Sequence, residues 1–213
     1  MTHSHDLTAE ARQRGALPGR GYTIAHYISR VFHPILLSVI SILIVGMLSV
    51  VPAKTGAAWS GLTIALQIIP PTIFFTIRLR QGIYSDEDIS VRQQRNELYL
   101  FGMINIVVVT LILYLLHAPT PLIALILSAG LINIIGFVIN LFWKISIHSA
   151  GIGSCATVAT LYSPPLGAFF WASAFALGWA RVRTRNHTPM QVIAGLALSA
   201  VCVLAVFAGF RLM

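Results

Sequence analysis

Charge is what this chain has least of. Only 9% of its 213 residues are Asp, Glu, Lys or Arg, the acids number 6, and 57% of the chain is hydrophobic. Soluble domains carry about a quarter charged residues, so a water-soluble globular fold is excluded, and the mean hydropathy of +0.83 agrees. Cysteine is nearly absent. Cys155 and Cys202 both lie inside apolar segments, which excludes a disulfide framework and any Cys-x-x-Cys metal site and leaves two small packing residues. The N-terminal stretch "MTHSHDLTAEARQRGALPGRGY" lacks a short apolar core and a cleavage pattern, so no removable signal is expected there. The apolar stretches also lack strict two-residue alternation, which argues against a membrane barrel.

Long apolar runs are what the chain does have. Seven are expected as helices, over residues 31–52, 58–79, 98–117, 120–143, 147–163, 165–182 and 188–210. Most approach the length of about 20 residues that crosses a bilayer core. The expected fold is all-α, a polytopic transmembrane helical bundle of about seven membrane helices. Residues 1–30 read as a polar, basic N-terminal segment and 31–213 as a single transmembrane domain. "VPAKTG", "HAPTP" and "YSPP" separate neighbouring runs. Pro70-Pro71 is expected to kink the second. The fifth run is short and rich in Gly, Ala and Ser, a composition suited to burial among other helices.

Seven crossings would put the N-terminus and the connections near 80–97, 144–148 and 181–187 on one face. Of the 14 Lys and Arg, all but Lys54 and Arg211 fall on that face, as do all 6 acids. The positive-inside rule then makes it cytoplasmic, and the expected setting is a bacterial inner (cell) membrane crossed several times. Topology and anionic lipid account for the net charge of +8, so a nucleic-acid partner is not expected.

Three polar junctions meet on that face. In "GWARVRTRNHTPMQVIAG", Thr188, Pro189 and Gln191 form a helix start with a capping box. His187 precedes this N-terminus, where an anion is favoured; with Arg181 it forms a pair able to attack and hold a phosphate. The alternative is a set of cytoplasmic anchors, which remains the reading of Arg183 and Arg185. In "FWKISIHSAG", Lys144, Ser146 and His148 lie within a few residues, and Asn133, Asn140 and Lys144 share one helical face. That stripe fits a polar cavity, or interhelical hydrogen bonds and a snorkelling lysine. In "IRLRQGIYSDEDISVRQQRNE", Ser85 and Asp88 read as a capping pair, with Arg92 and Arg95 on one face of a short helix and Asp88 pairing with Arg92. The acids could instead hold Mg²⁺, or sit in a solvated loop.

In this order the junctions resemble the type-2 phosphatidic acid phosphatase and haloperoxidase superfamily, with its signatures K-x-x-x-x-x-x-R-P, P-S-G-H and S-R-x-x-x-x-x-H-x-x-x-D. "ARVRTRNHTPMQ" matches the third with Arg181 and His187, Gln191 standing in place of the acid and Ala180 in place of the serine. "ISIH" keeps Ser146 and His148 of the second. The first is weakest: Arg95-Asn96 takes the place of R-P, and Asp88 falls where lysine is expected. The resemblance implies a phosphatase-type core and phosphoryl transfer without metal or cofactor, on a lipid phosphate or diphosphate of an isoprenoid or glycerolipid reached among membrane lipids. By that resemblance His187 is the nucleophile, His148 the acid, and Arg181, Arg95 and Ser146 hold phosphate oxygens. Lys144 or Arg92 is our candidate for the missing lysine, and Gln191 orients His187. Glu97 or Asp86 could supply the missing acid. The sequence leaves two rivals, a catalytically silent lipid-binding relative and a Mg²⁺-dependent prenyl-transfer enzyme using Asp86 and Asp88. Oligomeric state is not legible from the chain.

Overall fold

Proline and small polar caps punctuate the chain, and helices start where they fall. The computed structural model describes Gly15 and residues 19–213. Its helices are α1 (Arg20–Val31), α2 (Pro34–Ser49), α3 (Ala53–Arg80), α4 (Arg95–Leu115, entered through a 3₁₀ turn at Arg92–Gln94), α5 (Thr120–Phe142), α6 (Ile147–Tyr162), α7 (Pro164–Arg183) and α8 (Pro189–Gly209). There is no strand among the described residues. Helices α2, α5, α7 and α8 carry proline in their first turn, where the missing N–H would have had no helical partner. Thr188 and Gln191 form the expected capping box.

Each of the seven apolar runs is a helix. By length and hydropathy α3, α4 with its entry turn, α5 and α8 are fit to cross a membrane, and α1–α2, bent by 40° at its break, could serve as one more. α6, at 16 residues, is too short to qualify by those measures, and α7 carries two prolines and two arginines among its 20 residues, which lower its hydropathy. α6 packs against α2, α7 and α8, with Ile152, Cys155, Ala156, Val158 and Ala159 all inside the main core. A helix so enclosed faces protein, and close approach matters more to it than hydrophobicity. The outer surface is apolar instead: Ile104, Val107, Leu111 and Tyr114 of α4 and Phe175 of α7 are exposed. A surface of that kind calls for lipid around it.

Proline inside α3 is accommodated from outside. α3 runs through Pro70 and Pro71, and the Leu66 carbonyl that Pro70 cannot bond accepts from Asn105 Nδ2 of α4 at 3.4 Å. α2 and α3 approach through small residues, with Ser60 Oγ donating to the Ile42 carbonyl.

The polar N-terminal segment includes a helix that the apolar runs did not mark: α1 packs on α7 and buries Tyr22, Ala25 and Ser29, while residues 1–14 and 16–18 lie outside the described residues. One expectation is corrected. The acidic stretch starts no helix. Residues 81–91 are a loop, folded on Asp86, whose carboxylate accepts from the backbone N–H of Asp88 and Ser90 and from the Ser85 and Ser90 hydroxyls. A short carboxylate side chain competes with the helix for backbone donors, and here it wins.

The loop and the ends of α4 through α8 converge at one end of the bundle. Arg95 Nη1 donates to the Ile145 carbonyl, the Ser146 N–H to the Gln191 carbonyl, and Arg181 Nη2 to Asp88. The α2–α3 crossing gives the first prediction. A Cβ at Gly56 would lie 2.2 Å from the Gly46 carbonyl oxygen, while one at Gly61 meets nothing within 4 Å. Gly56→Ala should therefore cost about 1–3 kcal/mol and lower the melting temperature in detergent. Gly61→Ala should leave it unchanged or raised.

Candidate active site

Two arginines that are each only 2% exposed organise this end of the molecule. Arg95 Nε donates to the Ile89 carbonyl at 2.8 Å, Nη1 to Ile145 at 3.1 Å and Nη2 to Asp88 at 3.1 Å. It clamps the acidic loop to the α5–α6 junction. Arg181 Nη2 donates to Asp88 Oδ1 at 3.1 Å, and Asn186 Nδ2 donates to Oδ2 of the same carboxylate at 2.9 Å. Asp88 thus pairs with Arg181 across the fold, not with Arg92 beside it in sequence. Nothing in local spacing announces that pairing.

His187 is 6% exposed, in the turn between α7 and α8. Its Nδ1 lies 3.1 Å from Gln191 Oε1, which also accepts from the Thr188 N–H at 3.1 Å. The backbone N–H settles the roles. It needs an acceptor, so the amide oxygen faces it, and that oxygen can only accept from His187 as well. The proton of the neutral ring therefore sits on Nδ1, and the lone pair is on Nε2, on the ring edge away from Gln191. Burial first, then the charges of Arg181, Lys144 and Arg95, bring this imidazole down to about 2. At neutral pH it is an unprotonated base.

His187, His148, Arg181 and Arg95 line one cavity of about 350 Å³. Its remaining walls include Ile42 of α2, Ile68 and Phe75 of α3, Ile106 of α4 and Leu125 of α5. A second cavity of about 720 Å³ is lined by Ser29 and Arg30, by Ser85, Asp86 and Ser90, and by Thr184 and Asn186. His33, Glu87, Asp88, His148 and Arg181 border both. One cavity is mostly apolar, the other is bordered mainly by polar and charged residues, and Glu87, Asp88 and Arg181 stand where the two share walls, at their common neck.

The remaining candidates fall elsewhere. Ser146 caps α6, its Oγ accepting from the Ser149 N–H at 3.2 Å, and lines neither cavity. Lys144 also lines neither, although burial and then the Arg95 and Arg181 charges bring its ammonium down to about 8. Arg92 donates from Nη1 to the Asn140 carbonyl, and Asn140 Nδ2 returns a bond to the Arg92 carbonyl at 3.1 Å. That reciprocal clamp pins the start of α4 to the end of α5. Of the amide stripe, only Asn133 reaches the cavity wall. Glu97 is paired with Arg78, and Asp86 is turned into its own loop, so neither backs His187. Sequence reasoning missed His33 and Asn186. A histidine directly before the proline that opens α2 was the available signal for the first.

No family model, curated protein or solved structure matches this chain. The site is therefore read from its own chemistry.

Its protonation has a consequence for stability. An unfolded histidine titrates near ~6.5, whereas folded His187 titrates at about 2. Between those values the unfolded chain binds a proton that the folded chain does not. This contribution is complete above the unfolded value and is lost as pH falls toward 2. Melting temperature in detergent should drop between about pH 7 and about pH 4, and His187→Gln should make the slope shallower. An unchanged slope in that variant contradicts the assignment.

Proposed function

We propose that the chain is an integral membrane lipid phosphatase of the type-2 phosphatidic acid phosphatase kind, acting on a phosphate monoester or diphosphate of an isoprenoid or glycerolipid. The observation that carries this reading is His187. Its Nδ1 proton is held by Gln191, and it shares with Arg181 and His148 a cavity whose other walls are largely apolar. An amphipathic lipid phosphate has that division of character.

The chemistry follows in two displacements. The Nε2 lone pair of His187 attacks phosphorus, the bond to the lipid oxygen breaks, and His148, entering the step as the imidazolium, gives a ring proton to the departing oxygen and is left neutral. His148 then takes a proton from water as the water attacks the phosphohistidine. Inorganic phosphate leaves, and the lone pair returns to Nε2. Arg181, with Arg95 behind it, sets positive charge where the phosphate oxygens develop theirs. Gln191 holds the tautomer and ring direction, but its amide does not offset the charge of an imidazolium as a carboxylate would. Gln191→Glu should therefore raise kcat, read from steady-state phosphate release.

Seven crossings complete this picture. α2 through α8 each traverse the bilayer, the short, enclosed α6 and the less hydropathic α7 included, and the site lies on the face rich in Lys and Arg, which we place in the cytoplasm. A second reading has one observation in its favour. The Asp88 carboxylate lies on Arg181, where a phosphate dianion would bind, and a silent lipid-binding relative would tolerate that arrangement. The Mg²⁺-dependent prenyl-transfer reading has less support, because Asp86 is committed to backbone N–H groups and Asp88 to Arg181 and Asn186.

The decisive assay is phosphate release by purified protein in detergent with EDTA present, from undecaprenyl diphosphate, shorter prenyl phosphates and phosphatidic acid. Release should survive the chelator and fall more than about a thousandfold in His187→Ala. Activity that disappears with the chelator, or persists in the variant, would overturn the proposal.

A further inference from the structure

The proposed phosphatase site is short of donors. Of the groups expected to hold phosphate oxygens, Arg92, Lys144 and Ser146 line neither cavity. Arg95 has three donors committed to carbonyls, and Asp88 stands where the resemblance calls for lysine. A phosphate at Arg181 needs further donors to its non-bridging oxygens, and none of these side chains offers one from the α2 side of the neck.

His33 stands on that side. It is the N-cap of α2, and because Pro34 has no N–H, the first backbone donor of the helix is Ile35, whose N–H donates to His33 Nδ1 at 3.3 Å. A ring nitrogen that accepts is unprotonated, so the proton of the neutral ring is on Nε2. The two nitrogens diverge from the ring, and with Nδ1 turned to its own helix, Nε2–H faces away from α2. The imidazole meets His148 edge to face, with centroids 5.6 Å apart and planes at 85°. It borders both cavities together with Glu87, Asp88, His148 and Arg181.

We infer that His33 is a third histidine of the site, a catalytic residue whose Nε2–H donates to a non-bridging oxygen of the phosphate held by Arg181. It supplies from α2 the donor that the acidic loop does not. The inference rests on the phosphatase reading above. The cap fixes which nitrogen carries the proton, so helix start and phosphate donor are two uses of one ring.

The test separates the donor from the cap. Asn and Ser are both strong N-caps, so His33→Asn and His33→Ser keep an acceptor for the Ile35 N–H and remove the imidazole. Each variant, with wild type, is titrated with inorganic phosphate followed by ³¹P NMR, assayed for steady-state release from a prenyl phosphate, and melted in detergent. Melting temperatures should stay near wild type. Phosphate affinity and kcat/KM should fall about tenfold to a hundredfold, as expected for losing a hydrogen bond to a charged group, with more of the kinetic loss in kcat than in KM. If wild type hydrolyses lipid phosphate and both variants stay within about twofold of it, His33 is only a cap and this inference fails while the phosphatase reading stands. If wild type neither hydrolyses lipid phosphate nor binds inorganic phosphate, both fail. Should wild type bind phosphate without hydrolysing lipid, weaker binding in both variants supports the donor, and unchanged binding overturns it.

Discussion

Burying two guanidinium groups at one end of a helix bundle is the constraint on which the rest of this structure depends. Removing a charge from water costs several kcal/mol even after relaxation, so Arg95 and Arg181 require a dense set of acceptors. One loop supplies most of them. The backbone carbonyls of Asp88 and Ile89 satisfy Arg95, and the Asp88 carboxylate faces Arg181. Ile89 has a positive φ of 44°, a conformation unusual for a β-branched residue, at the point where the loop presents that carbonyl. Asp86 locks the turn behind it. The same bonds bring together the ends of α4, α6 and α7, and the Ser146–Gln191 backbone contact adds α8.

Once those ends meet, the division of the interior follows. On one side of the charged neck is a cavity walled largely by isoleucine, leucine and phenylalanine, and on the loop side one lined by hydroxyls, carboxylates, histidines and the Asn186 amide. His187 lines the apolar cavity beside that neck, in a single tautomer because a helix cap selects it. The capping box is therefore more than an end for α8, since the oxygen that receives the Thr188 N–H also orients the ring that we propose as nucleophile. Local backbone chemistry and site chemistry share an atom.

Much of the fold was legible in the sequence, because its signals are local. Prolines and caps mark helix starts, apolar runs mark helices, and every expected run is one. α1 was not foreseen: it has the polarity of a tail, and its buried side rests on only a few residues. The acidic loop was misread because Ser85 and Asp88 match a cap pattern locally, while the competing bonds from Asp86 and the clamp from Arg95 arise from tertiary structure. For the site, Arg181, His187, His148 and Arg95 do share one cavity, and Gln191 does meet His187. Arg92, Ser146 and Lys144 carry the right chemistry, but Arg92 is bonded to Asn140, Ser146 caps α6, and Lys144, in the α5–α6 junction, lines neither cavity. His33 escaped notice because no spacing within its own segment links it to residues more than a hundred positions later.

The most direct test of the central claim is to look for the covalent intermediate. Protein mixed with a prenyl phosphate, quenched within one turnover under alkaline conditions and digested, can be mapped by mass spectrometry for added phosphoryl groups. The account predicts phosphorylation on His187 and on no other residue. Turnover with the label elsewhere, or hydrolysis with no phosphoryl-enzyme at any quench time, would contradict it.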